Sequence, residues 1–252
     1  MDMGPVVRGA LENEGLRVTV VRILTTERPT PHGGPVTYLA TVSDDEHVPS
    51  RLRTFRWGTD RGLPARPIRA QYAHIGGPEA DLEWARSQLP QDARVGEAEQ
   101  HRTWNLSSIW RIPTGRGSVW LKHVPAFFAH ERALLCFVRD RLGRADVPRL
   151  LAHDSGRLLL DDVPGTDRYE ADLDERKAMV RQLVELQHVC ATHVDALLGL
   201  GLPDWRANAL TSSIQRLVEQ RSARLSGNVR GDRRTATILD WGDSGVAHPM
   251  LD

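Results

Sequence analysis

Short apolar runs broken by glycine and proline turns fill the first part of the chain: LRVTVVRIL (16–24), the turn PTPHGG, then PVTYLATV (35–42). Their β-branched content and bounding turns predict strands. EADLEWARSQL (79–89) predicts a helix, and the polar run PQDARVGEAEQ (90–100) predicts a linker. Residues 1–97 thus read as a small α+β domain.

Between 101 and 165 the pattern changes to strand, turn, strand, helix, strand, carried by RTWNLSSIWRI, GRGSVWLK, AHERALLCFVRDRL and GRLLLDDV. On the helix, Glu131, Leu135, Val138 and Leu142 recur at i, i+4, i+7 and i+11, which sets a carboxylate in line with the apolar stripe. A carboxylate placed there requires a cation. From 171 to 200, Met179, Leu183, Leu186, Cys190, Val194 and Leu197 recur at spacings of three or four, predicting one long helix packed into a core. NALTSSIQRLVEQRSARL (208–225) predicts another, stopped by Ser226 and Gly227, and NVRGDRRTATILDWGD reads as a hairpin turning at 231–234.

Charge narrows the function classes. Lysine plus arginine (33) balance aspartate plus glutamate (33) over 252 residues, so no net field draws the chain to nucleic acid or to an anionic membrane. VRGDRR is a short basic turn without interleaved aromatics, which excludes a nucleic-acid interface there. No segment approaches the roughly 20 apolar residues of a membrane span, and the N-terminus has no apolar run behind a basic start, so a cytoplasmic location is expected. The two cysteines, Cys136 and Cys190, lie in apolar stretches without zinc or disulfide spacing and read as core residues. His188 and His193 stand five apart on a helix and do not share a face, so zinc has no support.

Lysine occurs only at Lys122 and Lys177, against an arginine-rich background. Lys122 closes the strand SVWLK just before the helix that carries Glu131. A lysine held by such a glutamate can grip the α/β-phosphates of a nucleotide; the alternative is a solvated strand end facing an ordinary surface charge. The turn at 105–108, with Asn105, Ser107 and Ser108, offers backbone N–H groups and two hydroxyls to phosphate oxygens, or is an ordinary hairpin turn. GRLLLDDVPGTD runs a buried strand into Asp161 and Asp162 and a Pro-Gly turn, where strand-edge backbone groups can read an adenine. A hairpin turning at 231–234 brings Asn228 roughly opposite Asp240, two oxygen ligands that suit Mg²⁺ or else the polar base of a hairpin.

SGNVRGDRRTATILDWGDSGVAHPMLD resembles the end of the catalytic loop and the metal-binding segment of the aminoglycoside phosphotransferase and choline kinase superfamily. VWLK, AHERALL, VPRLLAHDSGRLLLDDVPG and LVELQHV follow in that family's order, so the resemblance covers about 101–252. It implies a protein-kinase-like two-lobed fold, with an N-lobe and hinge at 98–165 and a partial C-lobe at 166–252. It also implies an ATP- and Mg²⁺-dependent phosphotransferase acting on the hydroxyl of a small molecule. Lys122 would bind phosphates, Glu131 would orient it, Asn228 and Asp240 would hold Mg²⁺, and Asp161, Asp162 and Val163 would form the adenine hinge.

The departure from the family falls on its base. The family writes this loop His-Gly-Asp-x-x-x-x-Asn, and here Arg221, Ser222 and Ala223 stand where that triplet belongs. Alanine cannot accept a hydroxyl proton. The family also places more helical sequence before this loop and several helices after the position of Asp252. An internally shortened, truncated C-lobe with its apolar helix surface exposed is therefore expected, and a pseudokinase that binds nucleotide without transferring phosphate is the alternative. The N-terminal stretch looks like the tail of a Nudix box in ALENEGLRVTVVRIL, with Glu12 and Glu14 as its metal-site remnant, although most of that box is absent.

Overall fold

The computed structural model describes residues 3–26, 35–43, 47–50, 69–93, 95–166, 168, 170–221, 229–231 and 236–238, with side chains described through residue 216. The described residues are mixed helix and strand with antiparallel sheets, as the α+β class requires. The chain divides into two compact units, one holding the described residues up to 200 and the other those from 201 on.

In the first unit, helix α1 (Gly4–Glu14) leads into a two-stranded sheet of β1 (Val18–Thr26) and β2 (Val36–Val42). Helix α2 (Gly77–Ser87) follows. Then comes a five-stranded sheet of β3 (Glu99–Thr103), β4 (Ser108–Thr114), β5 (Gly117–His123), β6 (Leu150–Asp154) and β7 (Arg157–Asp161), in the order β3-β4-β5-β7-β6. Helix α3 (Glu131–Cys136) lies between β5 and β6 in the chain and widens into a π-helical turn, Phe137–Arg141. That turn breaks the 3.6-residue period on which Leu142 had been placed in line with Glu131.

Strand alternation divides the five-stranded sheet into two faces. Trp110, Ile112, Val119, Leu121 and Leu159 point to one face and are buried together with Ala85 of α2, with Leu82, Trp84 and Leu89 packed around them. Burying one such side chain contributes about 1.5–3 kcal/mol. Helix α2 therefore forms the roof of this core. The PQDARVGEAEQ run is not all linker, because Glu99 and Gln100 already belong to β3.

Gln100 also joins the two sheets. Its side-chain amide accepts from the Val20 N–H at 2.9 Å and donates to the Val20 carbonyl at 2.7 Å, satisfying both backbone groups of a β1 residue as a neighbouring strand would. The Met3 N–H donates to the His101 carbonyl at 2.9 Å, fixing the start of α1 to β3. Residues before and after 97 are thus stitched through buried hydrogen bonds.

The single helix predicted over 171–200 is two: α4 (Leu173–Ala191) and α5 (Val194–Gly199), broken at Thr192 and His193. Asp172 caps α4, accepting from the Glu175 N–H at 2.9 Å while the Glu175 side chain reaches back. Nor is α4 a core helix, since no residue on it is buried and Val180 is 59 % exposed. The reason is its few supports. Gln182 donates to Asp146 at 2.5 Å, and the His193 ring meets Phe137 edge-on at 5.7 Å, which leaves the Met179–Leu183 stripe without cover among the described residues.

In the second unit, α6 (Ala207–Arg221) precedes a small hairpin of β8 (Val229–Gly231) and β9 (Ala236–Ile238), paired Val229 to Ile238. No described helix is long and apolar enough to cross a membrane.

Candidate functional site

Lys122 and Glu131 meet. Lys122 is the penultimate residue of β5 and points to the face opposite the α2 core, because its neighbours Leu121 and His123 point into that core. Its ammonium donates to Oε1 of Glu131, in the first turn of α3. The two side chains are 27 % and 25 % exposed, so the pair is partly desolvated yet open on one side. An ammonium has three N–H donors. One goes to Glu131, and the described residues supply no further partner for Lys122, so the group fits an incoming phosphate oxygen.

The same face carries Trp120 two residues before Lys122, with Leu160 and Leu158 across from them on β7. The Trp120 indole donates to Asp162 at 2.8 Å, and the His101 ring packs edge-on against it at 4.8 Å. Arg111 and Glu99 pair at 3.3 Å further along. A flat aromatic beside a cationic strand end is a surface on which a base can stack next to its phosphates.

Asp161, Asp162 and Val163 leave the end of β7 near Trp120. Asp161 is held by Arg149, whose guanidinium donates at 2.8 and 3.0 Å, and its backbone N–H donates to the Arg149 carbonyl at 2.8 Å. Val163 is exposed. The two carboxylates are thus engaged in fixing the strand end, and backbone is what this segment offers a ligand.

The turn between β3 and β4 is tied to two indoles. Ser107 and Ser108 are buried, and their hydroxyls accept from the indoles of Trp104 at 2.9 Å and Trp110 at 3.1 Å. Only Asn105 is fully on the surface. The backbone N–H of Trp104 donates to the Ser107 carbonyl at 3.0 Å, closing the turn on itself. Both hydroxyls thus serve as acceptors for indole N–H groups that need partners in a dry environment, and each keeps its own O–H as a donor.

Asn228, Asp240 and Ala223 lie outside the described residues. β8 and β9 pair antiparallel, with Val229 opposite Ile238 and Gly231 opposite Ala236, and the expected turn at 231–234 lies mostly outside the described residues. Glu12 is exposed on α1, and among the described residues no group of three or more His, Cys, Asp or Glu could hold a metal ion.

One constellation was missed by reading the sequence. Asp81 of α2, 1 % exposed, accepts from Nε of Arg157 at 2.8 Å through one oxygen, and its other oxygen lies 2.8 Å from Nδ1 of His123. His123 and Arg157 are cross-strand partners at the end of β5 and β7. Tyr72, fully buried, packs edge-on to His123 at 5.2 Å and donates to the Trp104 carbonyl at 2.8 Å. Burial first, and the Asp81 carboxylate second, push its phenol above the usual tyrosine range. A signal existed: Asp81 and Ala85 stand at i, i+4 on one helix face, the same criterion that singled out Glu131.

A cavity of about 80 Å³ opens beside this knot, lined by Val124, Arg132, His153 and Gly156 among others, away from Trp120. The chain matches no protein-family model, no curated protein and no solved structure.

Proposed function

We propose that this chain binds Mg·ATP on the Lys122 face of its five-stranded sheet, as an ATP-dependent phosphotransferase acting on small hydroxylated molecules does. The observation that carries the reading is the Lys122–Glu131 pair: a lysine on the third strand of the sheet, held by a glutamate on the helix that follows it. Phosphoryl transfer depends on positioning and charge, and a lysine fixed in this way is a recurrent phosphate holder. Trp120 supplies a stacking surface on the same face, and the backbone at Asp161, Asp162 and Val163 would meet the edge of a base. In this reading the protein has a kinase-like two-lobed fold, with Asn228 and Asp240 as the Mg²⁺ ligands.

A second reading, nucleotide binding without transfer, is favoured by one fact. Ala223 stands where the resemblance places the catalytic aspartate. Two measurements separate the readings. Mg·ATP at about 100 times its Kd should stabilise the chain by about 2.7 kcal/mol in thermal unfolding. Lys122→Met should abolish that shift, and no shift in the unaltered chain sinks both readings. Phosphate transfer from ATP to a panel of amino-alcohols and sugars then decides between them. Transfer by the unaltered chain supports the first, whereas binding without transfer, with activity gained in Ala223→Asp, supports the second.

A further inference from the structure

Asp81 lies on the opposite face of the sheet from Lys122, and no part of the proposed phosphate chemistry requires it. The two groups it holds nevertheless bracket Lys122. His123 is the next residue on β5, and Arg157 precedes Leu158, the cross-strand partner of Lys122. A buried carboxylate left without partners carries a large desolvation cost, so helix and strand ends are held together as one body.

The backbone is clamped at the same point. The Val124 N–H donates to the Gly156 carbonyl at 2.9 Å. Gly156 has φ +89°, and a Cβ there would come within 2.7 Å of the Val124 carbonyl oxygen, so only glycine lets the two strands approach this closely. From this clamp the chain passes through one 3-10 turn, Ala126–Phe128, into α3 and Glu131. Lys122 enters the clamp and Glu131 leaves it. The relative placement of the two is therefore set where Asp81 binds.

We propose that Asp81 is a positioning residue for the Lys122–Glu131 pair, and that α2 is the brace through which the first hundred residues set the phosphate-holding end of β5. The consequence for nucleotide rests on the function proposed above; the geometric coupling does not.

The chain contains two lysines, which makes the coupling measurable without nucleotide. Lys177 on α4 is 52 % exposed and, among the described residues, paired with Asp174, so it serves as an internal reference for limited acylation of Lys122 read by mass spectrometry. Asp81→Asn should raise the Lys122 to Lys177 labelling ratio by about threefold or more, as expected for residues coupled through a shift of shared backbone. Ile112→Ala, which opens a cavity in the same core on β4, three register positions from the Lys122 pair and off α2, is the control for destabilisation and should leave the ratio unchanged. An unchanged ratio in Asp81→Asn, or an equal rise in Ile112→Ala, overturns the proposal. Should Asp81→Asn fail to fold, Arg157→Lys, which keeps the charge and removes the Nε donor, carries the same comparison.

In a parallel arm, Mg·ATP-dependent stabilisation should fall in Asp81→Asn along with the rise in labelling. Absence of that stabilisation in the unaltered chain would count against the nucleotide reading alone, and the labelling ratio would still judge the brace.

Discussion

On the α2 side of the five-stranded sheet, Trp110, Ile112, Val119, Leu121 and Leu159 are buried, and the charges there are tied to one another through Asp81. On the other side the same strands present Arg111, Trp120 and Lys122, partly exposed and with donors or ring surface to spare. Adjacent residues of one strand thus serve opposite ends: Leu121 holds the sheet to its roof, and Lys122 is left open to a ligand. Binding groups gain precision from rigid support, and here the support is one residue away in sequence and one sheet thickness away in space.

Substitutions that treat the two faces unequally test this contrast. The largest effect is expected for Asp81→Ala, which leaves His123 and Arg157 facing an empty site. A loss of about 3–5 kcal/mol in urea unfolding is expected, and a loss below ~1 kcal/mol would mean that the knot is solvated. Leu121→Ala should cost about 2–5 kcal/mol by cavity formation, while Mg·ATP binding, measured where the variant is still folded, persists.

Lys122→Met should invert that outcome. The pair is only partly buried, so unfolding should shift by no more than about 1 kcal/mol, while Mg·ATP-dependent stabilisation disappears. A Leu121→Ala chain and a Lys122→Met chain with the same profile would erase the distinction between the faces.

The smallest effect belongs to pH. Tyr72 ionises less readily folded than unfolded, so its contribution to stability is complete below the ordinary tyrosine pKa of about 10 and is lost as pH rises above it. Of the three tyrosines, one should resist ionisation in a spectrophotometric titration until the chain unfolds, and Tyr72→Phe should remove that late component. Three tyrosines titrating together in the folded chain would show that Tyr72 is not buried as described.

What the sequence made legible was local. The alternation in SVWLK and the apolar stripe around Glu131 sufficed to bring lysine and glutamate together, because strand and helix are consecutive and each period assigns a face. Asp81 was illegible because its partners lie 42 and 76 residues away, and no local period carries that information. The serine turn hid a contact for a related reason. Its hydroxyls also accept from the indoles of Trp104 and Trp110, which the strand pattern alone does not announce. LLAHD did not stand out as a strand, since five residues with a register shift show no clean alternation. The α4–α5 break was hidden because the three-and-four spacing continues through Thr192 and His193 without glycine or proline.

The strand order also governs how the chain folds in time. Among the described residues, β3 with β4, β4 with β5 and β6 with β7 are pairings of chain neighbours, and β5 with β7 alone closes over the whole α3 segment. Local hairpins form fast and the long closure is slow, because its loop entropy is lost before its contacts are gained. Refolding should therefore wait on the meeting of His123 with Arg157, which makes the glycine turn before Arg157 a kinetic gate as well as a close fit.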